Sequence, residues 1–70
     1  MAETLVVVYP PAEDGGRRVR VGDRFVGMAY GLLDIAEFLG RAGLDDMEPD
    51  DVARASWVEW RGGGPTAWQH

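Results

Sequence analysis

Seventy residues with no cysteine, one histidine, twelve acidic and seven basic side chains leave room for one small domain of formal charge −5. A chain this short buries only about 60% of the surface its unfolded form exposes, and without disulfides or a zinc ligand set its stability has to come from apolar packing or self-association. At 46% apolar the chain is too hydrophobic for disorder; no run approaches the roughly 20 apolar residues of a membrane span, no basic-then-apolar leader opens it, and the negative charge argues against general nucleic-acid binding, so a cytoplasmic protein is expected.

Thr4-Leu5-Val6-Val7-Val8-Tyr9 is a β-branched and aromatic run closed by Pro10-Pro11, and predicts a strand over 4–9 that is covered on both faces. Asp14-Gly15 then supplies a tight return. Arg18-Val19-Arg20-Val21 alternates with period two, Gly22-Asp23 follows, and Arg24-Phe25-Val26-Gly27-Met28 resumes the alternation. This is a hairpin of strands 17–21 and 24–29 with a two-residue turn. Such a turn sets Val21 opposite Arg24, Val19 opposite Val26, and Arg20 opposite Phe25, with the Arg20 guanidinium beside the ring.

Residues 31–42 predict an amphipathic helix. Leu32, Ile35, Ala36, Leu39 and Ala42 share one face, Leu33 and Phe38 widen it, and Asp34, Glu37 and Arg41 form the opposite stripe. Glu37 and Arg41 have the i, i+4 spacing of an ion pair. Gly43 and Leu44 have the composition of a Schellman stop. The acidic stretch 45–55 reads as a connecting segment in which Pro49-Asp50-Asp51 suits a helical turn, although it has few apolar anchors. Ser56-Trp57-Val58-Glu59-Trp60-Arg61 returns to strand composition, and Gly62-Gly63-Gly64-Pro65 begins a turn and tail through residue 70 that brings Trp68 back onto the sheet.

These elements make one domain of α+β class: a three-stranded meander, one helix and a returning strand, in a β-grasp-like arrangement with the last strand parallel to the first. A lone helix covers one sheet face. Phe25, one of Trp57 and Trp60, and part of the first strand are then expected on the other, with Trp68 folding over it or standing exposed. That face predicts a partner, a second copy, or a covering tail.

Chemistry-bearing patterns are few. The acidic cluster lacks the alternating ligands and central glycine of a calcium loop, the three glycines feed no helix that would complete a phosphate site, and no base accompanies Ser56, Thr4 or Thr66. Neither a metal, a cofactor nor an enzymatic activity is expected. The residues left for contact are Phe25, Trp57, Trp60 and Trp68 with Arg18 and Arg20, which point to a small protein-interaction module. The alternative is a weak nucleic-acid contact through Arg17, Arg18, Arg20 and Arg24; a small-ligand binder or enzyme ranks third.

All seven basic residues are arginine, with no lysine or asparagine, as GC-rich codons produce. The stretch Val19-Arg20-Val21-Gly22-Asp23-Arg24-Phe25-Val26-Gly27-Met28-Ala29-Tyr30, followed by Asp34-Ile35-Ala36-Glu37-Phe38-Leu39, Arg41-Ala42-Gly43-Leu44 and Glu59-Trp60-Arg61-Gly62-Gly63-Gly64-Pro65 with Trp68, resembles a group of short hypothetical proteins from high-GC Gram-positive bacteria. That group has no assigned activity, so the resemblance implies no functional residue. A helix-turn-helix is excluded because the segment after residue 44 is acidic and too long for its turn.

Overall fold

The computed structural model describes residues 4–44 and 46–68; Asp45 of the acidic stretch and His70 lie outside them. The elements run β1 (Val6–Pro11), β2 (Arg17–Val21), β3 (Arg24–Ala29), α1 (Leu32–Arg41), α2 (Pro49–Arg54) and β4 (Val58–Trp60). They build a four-stranded mixed sheet in the order β3-β2-β1-β4, antiparallel except where β4 runs parallel to β1. The α+β class, the meander, the helix and the returning parallel strand are those the pattern predicts. Among the described residues no helix is long and apolar enough to cross a membrane.

The core forms on the helix side. Val6, Val8, Val19 and Val58 project from the sheet against Ile35, Ala36 and Leu39 of α1. α1 ends as a full Schellman motif: Gly43 adopts φ 96°, the Leu44 N–H donates to the Leu39 carbonyl at 2.8 Å and the Gly43 N–H to Gly40 at 3.1 Å. Because the helix stops at Arg41, Ala42 becomes its cap and is exposed, and Leu33 is exposed as well. The apolar face is therefore narrower than its periodicity suggests. The Glu37–Arg41 ion pair does not form; the Arg41 guanidinium instead sits 5.9 Å from the Phe38 ring centre.

The acidic stretch holds a second helix rather than a bare linker. Pro49 occupies its first turn, the Glu48 N–H donates to the Asp51 carboxylate at 3.0 Å, and Val52, fully buried, fixes it to the core. Leu44, Met47 and Ala55 add partly buried contacts on either side of it.

Three strand details depart from expectation. β1 begins at Val6 and continues through Pro10 and Pro11, because its register shifts between Val8 and Pro11 and so asks no ladder bond of either proline. β4 covers only 58–60. Val19 pairs with Gly27 instead of Val26, since Val26 is the extra residue of a β-bulge. Gly27 pays no side-chain penalty at φ 146°, and a Cβ there would stand 3.0 Å from the Phe38 ring. Gly27→Ala is therefore expected to cost about 1–3 kcal/mol, the range for a residue forced into a sparsely populated backbone region, read as a lower urea midpoint with an unchanged m-value.

Candidate functional site: a buried arginine clasp and an arginine-aromatic sheet face

The arginines of the second strand divide by alternation. Arg17, with Val19 and Val21, points to the helix side; Arg18 and Arg20 point to the other face. Arg24 stands beside the hairpin tip, where it lines a groove of about 440 Å³ with Val21, Val26, Phe38 and Arg41. The strip Arg17–Arg24 is thus not one surface. The nucleic-acid reading loses Arg17 outright, because that side chain is 0% exposed.

Arg17 is the one charged side chain buried among the described residues. Among the described residues no carboxylate accompanies it. Its five N–H groups each donate to a different backbone carbonyl: Nε to Tyr9 (2.8 Å), Nη1 to Gly64 (2.9 Å) and Ala67 (3.1 Å), and Nη2 to Arg61 (2.8 Å) and Gly63 (2.8 Å). The guanidinium carbon lies 5.4 Å from the ring centres of both Trp60 and Trp68, which meet edge to face at 6.4 Å. Burial lowers the Arg17 pKa from the ordinary guanidinium value, but an arginine remains charged at neutral pH.

The glycines after β4 make this convergence possible. Gly62 and Gly63 take φ 73° and 127°, and a Cβ on Gly62 would lie 2.6 Å from the Pro10 side chain. The chain doubles back, the Ala67 N–H closes on the Gly64 carbonyl at 3.1 Å, and the Trp68 indole N–H donates to Pro65 at 2.7 Å.

All three tryptophans are half-buried and pack against the core. Trp60 shares the inward face with Val58, and Trp57, ahead of the strand, packs there too. Trp68 packs against the core with its ring beside the Arg17 guanidinium and the edge of Trp60, and does not cover the far face. The expectation that one of Trp57 and Trp60, joined by Trp68, occupies the opposite face is corrected accordingly.

That opposite face is not bare either. Val7 is buried there, flanked in register by Arg20 and Glu59. Tyr9 and Phe25 lie 5.6 Å apart, Arg18 sits 5.4 Å from Phe25, and Arg20 and Arg61 sit 6.0 and 5.1 Å from Tyr9. The Arg20–Phe25 register is as expected, yet the ring under Arg20 is Tyr9, and Phe25 takes Arg18 diagonally. Arg61 also donates to Glu59. Phe25 remains 53% exposed and the Arg20 Nε has no partner. Beside Arg18 a hollow of about 160 Å³ is lined by Tyr9, Pro10, Ala12, Gly16 and Met28.

Of the contact residues expected from sequence, Phe25, Arg18 and Arg20 come together on this face, whereas Trp57, Trp60 and Trp68 belong to the core side. Tyr9 and Arg61 join the face without having been singled out. Tyr9 is legible as the alternate of Val7. Arg17 is legible by extending the Val19–Val21 alternation backward by one step.

At the rim, the Asp14 carboxyl is held below the ordinary carboxylate range, first by the Gly16 N–H at 2.9 Å and then by the Tyr30 hydroxyl at 2.9 Å. The same bond raises the Tyr30 hydroxyl. Asp14 therefore favours the fold above its unfolded pKa and loses that effect as pH falls through its lowered folded value; Tyr30 favours it below its unfolded pKa and loses that effect as pH rises through its raised one.

Two outcomes are expected. Arg17→Lys keeps the charge but offers three donors to five oxygens, so at least two part-buried carbonyls lose their partner and stability falls by about 1–3 kcal/mol, measured by urea denaturation. Tyr30→Phe lowers the urea midpoint most between roughly pH 5 and pH 9, with the difference from the parent narrowing below about pH 4 and above about pH 10.

Compared with known proteins, the chain matches no protein-family model, no curated protein and no solved structure.

Proposed function

We propose that this chain is a non-enzymatic docking module that binds an acidic segment of a protein partner across the outer face of its sheet. The observation that carries this reading is the layer of Arg18, Arg20 and Arg61 interleaved with Tyr9 and Phe25, in which Phe25 is half exposed. Tyrosine and arginine in such a cluster are the residue types that dominate binding energy at protein interfaces. Glu59 is the single anion of the cluster, so the face is basic on a chain whose net charge is −5. Guanidinium forks take carboxylates in bidentate geometry, and the hollow beside Arg18 accepts a small apolar side chain next to the carboxylate.

Single-stranded nucleic acid is the less favoured ligand. Base stacking needs an open ring face, and here arginines lie against both rings. The chain's overall charge also opposes phosphate.

The test is fluorescence anisotropy with a labelled peptide of alternating Glu and Leu, its Gln and Leu counterpart, and oligo-dT of matched length. The acidic peptide is expected to bind with an affinity that falls with salt, and Arg18→Gln and Arg20→Gln to weaken it by roughly 10- to 100-fold each, from about 1.5–3 kcal/mol for a hydrogen bond to a charged group. Equal binding of both peptides, or tighter binding of oligo-dT, overturns the reading.

A further inference from the structure

The seat around Arg17 has the makings of a receptor as well as a contact. Its walls are five carbonyl oxygens, from Tyr9, Arg61, Gly63, Gly64 and Ala67, and two indoles, from Trp60 and Trp68. Each oxygen takes one N–H, so the number of acceptors equals the number of donors on a monosubstituted guanidinium. An alkylammonium has three donors around a tetrahedral centre and leaves oxygens unmatched. The described partners are all carbonyls, and carbonyls at fixed positions select by donor geometry, whereas an anion attracts any cation.

The segment after Arg61 has little else to hold it. Its own backbone bonds are local, Ala67 to Gly64 and Trp68 to Thr66, and the last ladder bond to the sheet is the Arg61 N–H to the Val8 carbonyl at 2.9 Å. Beyond that point four of the five guanidinium bonds, or three if Arg61 itself is set aside, join the segment to the body of the domain, along with the packing of Trp68 against the core.

We infer that the Tyr9 carbonyl, Trp60 and residues 61–68 form a guanidinium receptor whose closure requires its ligand, and that Arg17 is that ligand, tethered in the same chain. The ligand class is a monosubstituted guanidinium: when the Arg17 side chain is removed, a free alkylguanidinium occupies the same seat and closes the segment again. This inference is independent of what the outer face binds.

The experiment uses the full chain as Arg17→Ala, with methylguanidinium, methylammonium and urea compared at equal millimolar concentrations well below denaturing levels. Methylguanidinium is expected to raise the melting temperature saturably by roughly 4–8 °C and to restore the parent tryptophan emission; methylammonium and urea are expected to do neither. A rise of equal size with methylammonium, or none with methylguanidinium in a variant whose circular dichroism retains the sheet, overturns the inference. Should Arg17→Ala fail to fold alone, recovery of the folded spectrum with methylguanidinium supports it and failure to recover counts against it. In the parent chain, ¹⁵N spectra are expected to resolve separate, slowly exchanging Arg17 Nη protons, whereas a single averaged Nη signal rejects a closed five-point seat.

Discussion

Taking a guanidinium out of water costs several kcal/mol unless its charge and every donor are compensated, and here, among the described residues, the compensation comes from peptide carbonyls and indole faces. That constraint orders the rest of the molecule. β2 must begin with Arg17 facing the helix side, β1 must bend after Val8 so that the Tyr9 carbonyl reaches Nε, and the chain after β4 must reverse within a few residues to bring four more oxygens to one cation. The glycines at 62 and 63, in conformations that side chains resist, are the means of that reversal. A small domain without disulfides thereby gains a cross-link between its second strand and its last segment. Unlike a covalent staple, it depends on solvent exclusion by Trp60 and Trp68.

The same alternation that buries Arg17 turns its neighbours outward. Arg18 and Arg20 emerge on the far face, where Tyr9 and Phe25 receive them. The long arginine stems cover apolar sheet surface while their heads stay near water, which answers the shortage of helices with side chains rather than with a second layer. Two residues serve both faces: Tyr9 and Arg61 give their carbonyls to the clasp and their side chains to the outer layer. The backbone geometry of the clasp thus fixes where the exposed rings and guanidiniums stand.

Much of the scaffold was legible in the sequence because local rules and tertiary structure agreed there. β2 and β3 follow period-two alternation around Gly22-Asp23, α1 follows its apolar spacing, and Gly43-Leu44 stops it by the motif their composition implies. The returning parallel strand followed from fold class. What escaped depended on partners distant in sequence. Pro10 and Pro11 remain in a strand because a register shift excuses their missing N–H groups, Val26 bulges where Phe38 stands over Gly27, and Trp68 lies beside a cation that belongs to the second strand. An arginine that heads an apolar-facing row is conventionally assigned to solvent, and nothing local shows that five carbonyls await it.

The two ends of the clasp are 44 to 50 residues apart along the chain wherever Arg17 meets the final segment. Contacts closing so long a loop cost more chain entropy than the local hairpin and helix, and are expected to form after them. Interactions absent from the transition state leave the rate of folding nearly unchanged and retard unfolding. A clasp that closes in that order lengthens the life of the native state more than it speeds folding.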